Sequence, residues 1–182
     1  MDNNHDSIAE DAVMTEQNAQ EEPIFTPQGE IINGEEYAKN TTDPSAKAII
    51  KYLSSILKQY HLSHRPLDQL SDPYEVLMVG QMHNTQLRPS LSFTVNGSSF
   101  PDWVIEIVTP EEEEMIYLMK TGIYAEAGVK EYWIIDPQKQ VILEYNFKKN
   151  AFIPKIYNSP QRIKVSIYRD LFISFSSIFK AQ

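Results

Sequence analysis

The 182-residue sequence has no cysteine. That excludes disulfides, thiolate metal centres and cysteine nucleophiles, although it does not identify a compartment. Glycine is scarce, six in all and none clustered, so there is no phosphate-cradling loop and no dinucleotide fingerprint. Four scattered histidines leave zinc hydrolase chemistry short of ligands, and no serine stands in a nucleophile elbow. No apolar run approaches the roughly 18 residues of a membrane span. The first residues lack the basic patch and apolar stretch of a signal peptide, and we expect a cytoplasmic protein with no membrane association.

Positive charge is missing from residues 1–22, which carry seven acids (Asp2, Asp6, Glu10, Asp11, Glu16, Glu21, Glu22) and no Lys or Arg. The net charge of −9 less this −7 leaves −2 for residues 23–182. The near-neutral remainder gives no overall basic footprint for nucleic acid, although Lys148, Lys149, Lys155, Arg162, Lys164 and Arg169 could form a local stripe. The acidic segment reads as a disordered tail, either simply solvating or a docking segment for a protein partner. Residues 23–182, in a chain 42% hydrophobic and 11% aromatic, suit one globular domain.

The pattern predicts a hairpin around Asn33-Gly34, then a helix from Asp43-Pro44, an N-cap followed by a first-turn proline. Ile49, Leu53, Ile56, Leu57 and Tyr60 give that helix one apolar face. His61 and His64 at its end read as a surface pair rather than metal ligands. Strands are predicted within 74–83, 87–95 and 102–109. A second helix should start at Pro110 with Glu111–Glu114 in its first turn and stop near Gly128. Strands should follow to the end, with Trp103, Tyr132 and Trp133 in the core and Asp136-Pro137 in a turn. The order gives an α+β or mixed α/β fold around one central sheet.

What remains for chemistry is carboxylate and lysine, the ligand set of a hard cation. In "PDWVIEIVTPEEEEMIYLMK", Asp102 and Glu106 share a strand face, but their Cα atoms should lie ~13 Å apart, too far for one metal on a straight strand. Glu106 lies inside an apolar run, so its carboxylate must be paired, hydrogen-bonded or metal-bound. Lys120 falls in line with Ile116 and Tyr124 on the second helix and could reach it. Two readings stand: a buried structural ion pair, or a metal-binding carboxylate with a lysine that steadies water or transition-state charge.

The stretch "PDWVIEIVTP…K…YAEAGVKEYWIIDP", residues 101–137, resembles the Uma-two family of restriction-endonuclease-like proteins in order and spacing, including the interval from Glu106 to Lys120. "GEIINGE", "LRPSLSF" and "YRDLFISFSSIF" extend the likeness to about residues 27–179. The resemblance implies the PD-(D/E)XK nuclease fold, a central mixed sheet flanked by helices. It also implies a DNA endonuclease in which Mg2+ or Mn2+ activates water against a phosphodiester. By position, Glu106 would be a metal ligand, with Asp102 secondary, and Lys120 the lysine moved from strand to helix, as Val108 in the Glu-x-Lys position suits. Glu30 would be a further acid. DNA would be the partner, and a homodimer is carried as an expectation. The principal metal-ligand aspartate is here Ser90, a neutral and weak ligand, and Glu111–Glu114 would repel a phosphate backbone. Asp102 or Glu112 could supply the missing ligand. The alternative is a catalytically inactive member acting as a binding or regulatory module. Either way, Lys120 should lie within hydrogen-bonding distance of Glu106, with position 90 beside them.

Overall fold

Asn33 and Gly34 turn the chain with φ of 54° and 86°, the left-handed backbone that suits this pair in a two-residue hairpin. They join β1 (Gly29–Ile32) to β2 (Glu35–Ala38). The computed structural model describes residues 29–80, 84–150 and 152–181, so the acidic segment 1–22 lies outside the described residues. Helix α1 (Pro44–His64) starts where its cap dictates: the Asp43 carboxylate accepts from Ala46 N at 2.7 Å. Its buried face is Ala46, Ile49, Ile50, Leu53, Leu57 and His61. His61 is therefore not one of a surface pair. It continues the buried stripe and hydrogen-bonds the Tyr168 hydroxyl at 3.0 Å.

Short strands follow: β3 (Gln69–Leu70), β4 (Leu77–Val79), β5 (Thr85–Leu87), β6 (Leu91–Thr94) and β7 (Trp103–Ile107). Of the strand expected across 74–83, residues 81–83 lie outside the described residues, and within 74–80 it is confined to β4; Tyr74 takes a positive φ of 62°, which breaks extended structure at its start. After β7 the chain turns and enters a π-helical segment, Met115–Lys120, continuous with α2 (Thr121–Glu126). Of the four glutamates expected in the first turn, Glu113 and Glu114 open the helix and are exposed. Glu111 and Glu112 lie in the turn before the helix, and Glu112 is buried. Gly128, with φ of 89°, stops the helix, and Val129 N bonds back to Tyr124 O at 3.1 Å.

The C-terminal part adds β8 (Glu131–Asp136), β9 (Val141–Asn146), β10 (Lys155–Tyr157), β11 (Arg162–Lys164), β12 (Phe172–Ser174) and α3 (Phe175–Phe179). That last helix replaces the end of an expected strand, because Ser174 caps it by accepting from Ser177 N.

Six strands in the order β10-β9-β8-β7-β6-β3 form a mixed sheet, with β7 and β8 parallel and the other neighbours antiparallel. A four-stranded sheet runs β2-β1-β5-β4, and β11 pairs with β12. Strand alternation sorts β7 between two cores. Trp103, Ile105 and Ile107 pack with α1, β11, β12 and α3. Val104 and Val108 pack with β1, β4, β5 and the π/α2 helix. Trp103, Tyr132 and Trp133 are fully buried core residues. Glu106, between Val104 and Val108, belongs to the second face.

Candidate functional site: a buried carboxylate and ammonium cluster

Glu106 has no exposed surface, yet four side chains contact it. At Oε1, Lys120 Nζ donates at 2.7 Å and the Tyr124 hydroxyl at 2.8 Å. At Oε2, Lys39 Nζ donates at 3.0 Å and Ser90 Oγ approaches at 3.5 Å. The fold explains each position. Parallel β7 and β8 need a crossover, and the crossover helix lies on the Glu106 face. Lys120 and Tyr124, four residues apart, present one side of it. Ser90 follows from the antiparallel register: Leu91 pairs with Ile105, so position 90 faces position 106. Its Oγ also accepts from Ile107 N at 3.0 Å.

Two further acids complete the cluster. Glu30 comes from β1 of the smaller sheet; its Oε1 accepts from Lys120 at 2.8 Å and from Arg88 N at 2.6 Å. Its Oε2 is 2.7 Å from the same ammonium without a hydrogen bond. Glu112, in the turn after β7, takes the Thr109 hydroxyl on Oε2 at 2.9 Å. Its Oε1 forms an ion pair with Lys39 Nζ at 3.0 Å. Lys39 itself follows β2, has a buried side chain, and lies 5.6 Å from the centre of the Tyr74 ring.

Asp102 stands elsewhere. It precedes β7, accepts from Val95 N at 2.8 Å and pairs with Lys130, so its partners lie outside the cluster. Glu30, Ser90, Glu106 and Lys120 are brought together, and Asp102 is not. The sequence reading missed Lys39 altogether, because 67 positions separate it from Glu106 and its local setting is a polar loop. Tyr124 did leave a signal, namely its i+4 spacing from Lys120.

Three carboxylates and two ammoniums share this buried volume. Burial alone would push Glu106 up, but Lys120 and then Lys39 outweigh it and hold the carboxyl at about 2. For Lys39, burial works against the charge, and Glu106, Glu30 and Glu112 together raise it well above the ordinary lysine value. Glu30 is raised, with burial ahead of the opposing Lys120 and Lys39. Tyr124 is raised well above its ordinary value, by burial first and then by Glu106, so it remains a neutral donor.

The family model described as "Putative restriction endonuclease", Uma2, matches residues 26–171. The chain belongs to the Uma2 family. A similar solved structure is that of a putative nuclease belonging to DUF820 from Anabaena variabilis ATCC 29413. It shares 18% sequence identity at a TM-score of 0.71, over 84% of this chain and 90% of that one. At that identity the likeness speaks to the fold, which is restriction-endonuclease-like. No curated protein matches.

The divalent ion that the Uma2 fold family implies does not fit the residues of this chain. Both Glu106 oxygens already receive ammonium donors, and the residue facing it is a neutral serine. Among the described residues, no three His, Asp or Glu side chains are grouped to hold a metal. The same described residues include no helix long and apolar enough to cross a membrane.

Proposed function

We propose that this Uma2 member keeps the nuclease fold without hydrolysing phosphodiesters, and serves as a binding or regulatory module. The observation that carries this reading is Ser90, placed against Glu106 where metal-assisted hydrolysis needs a second charged ligand. A hydroxyl cannot supply that charge. The burial of the cluster adds support, since a phosphodiester and its attacking water have no exposed Glu106 to approach. Glu111, Glu113 and Glu114 on the adjoining turn and helix start would further oppose a polyanion.

One observation favours the other reading, a Mg2+- or Mn2+-dependent DNA endonuclease. Glu30, Glu106 and Lys120 lie together at 2.7–2.8 Å, the acid and lysine set the family resemblance assigns to its centre. A plasmid-nicking assay with Mg2+ or Mn2+ separates the two readings. Wild type should leave supercoiled plasmid intact at every metal concentration. Nicking by wild type that disappears in Glu106→Ala would overturn the silent-module reading, whereas nicking confined to Ser90→Asp would support it.

A further inference from the structure

The Lys39 ammonium stands where it contacts Glu106 Oε2 and Glu112 Oε1, each at 3.0 Å, with Ser90 Oγ on the same Glu106 oxygen. These three groups come from β7, the turn that follows it, and the residue before β6. The two carboxylates converge on one cation, and Ser90 stands against the Glu106 oxygen that faces it. Glu112 is 1% exposed, and the partner of its Oε1 is that cation, at 3.0 Å. A buried carboxylate without its counter-charge is costly, so its place depends on positive charge at that point. We propose that the Lys39 side chain is a built-in replacement for a divalent cation, covering a latent metal site made by Glu106, Glu112 and position 90. This rests on the reading of the chain as silent and adds a cause: the charge that a metal would bring to Glu106 and Glu112 is carried by the chain itself.

The physical comparison is direct. A lysine ammonium supplies one charge and three donors at about 3 Å, whereas Mg2+ supplies two charges at about 2 Å and needs several carboxylate or water ligands. With serine at position 90, two carboxylates face the ion, and a tethered monovalent cation is the better match. Truncating Lys39 should leave Glu106 and Glu112 facing each other across an empty space, a charge arrangement that a divalent ion can relieve. Adding Ser90→Asp should supply a third carboxylate.

The test measures Mn2+ binding by calorimetry, and melting temperature with EDTA or with Mn2+, on the full chain. It compares wild type, Lys39→Ala, Lys39→Ala/Ser90→Asp and Lys39→Ala/Glu106→Gln. Wild type should bind no Mn2+ and show no metal-dependent shift. Lys39→Ala, or its Ser90→Asp double variant, should melt lower in EDTA, bind one Mn2+ per chain and regain most of the lost melting temperature. Refolding of either variant only with Mn2+ present would count in the same direction. The inference is overturned if neither variant gains Mn2+-dependent stability or foldability. It is also overturned if the gain survives Glu106→Gln, or if wild type itself binds Mn2+ through Glu106. No nucleic acid enters these measurements. Plasmid cleavage by wild type would therefore remove the silent reading whatever the variants bind, and absent Mn2+ rescue would remove this inference whatever wild type cleaves.

Discussion

Lys120 is fully buried between Glu30 and Glu106, and removing one member of such a pair leaves uncompensated charge in the interior. Lys120→Met should therefore lower stability by about 3–5 kcal/mol, read as a reduced urea midpoint; a loss near zero would mean that water reaches the cluster. Tyr124→Phe removes one donor from the same carboxylate and leaves the ring in place. It should cost about 1.5–3 kcal/mol, the range for hydrogen bonds to charged groups, with little change in the denaturant slope. The acid response of Glu106 has a definite sign. Its folded pKa is depressed to about 2, so its contribution is complete above the ordinary carboxylate range and is lost as pH falls through about 2.

Elements differ in how openly their sequences declare them. Helix α1 is announced locally, by Asp43 at the cap, Pro44 behind it and apolar residues at helical spacing. Asp43→Ala, which removes the bond to Ala46 N, should cost about 1 kcal/mol of stability in thermal melts. The hairpin at Asn33-Gly34 is equally local. The π-helical turn at Met115–Lys120 has no such signature, since it is an i+5 adjustment imposed where the helix packs, and such turns recur at functional sites. The extent of β4 was likewise hidden, because the positive φ of Tyr74 depends on its bond to Pro89 O and on Arg88 reaching its carbonyl, neither of which is a sequence neighbour.

Across the whole molecule, the six-stranded sheet carries further buried acids. Glu131 accepts from Trp133 Nε1 at 2.8 Å and Ile167 N at 2.7 Å. Glu144, held by Ser166 and Tyr157, lies near enough to add repulsion. Burial, opposed by the Ser166, Ile167 and Trp133 bonds, raises Glu131 from 4.5 to about 7. A raised carboxyl takes up protons on folding, so the Glu131 contribution to stability should fall as pH rises from about 4.5 to about 7. The shift is worth roughly 3 kcal/mol from this group, and Glu30 acts with the same sign. Denaturation across that range should show the decline as the difference between wild type and Glu131→Gln. An identical slope in the variant would remove Glu131 as its source.

The sequence by itself determined the elements whose causes are local: α1 with its cap, the first hairpin, the buried strand around Glu106, and the presence, though not the π-helical form, of the helix that carries Lys120. It also marked Glu106 as a carboxylate in need of a partner, because an unpaired charge cannot remain in an apolar run. The spacing of Glu106 and Lys120 was legible because one strand-to-helix crossover spans it. Only the tertiary structure decided which groups satisfy that charge. Lys39 and Glu30 arrive from the small sheet, through register and sheet packing that no local pattern encodes. Asp102, close in sequence, turns to Val95 and Lys130 instead. Proximity along the chain sets which residues share an element, whereas burial and charge balance in the packed interior set which of them meet.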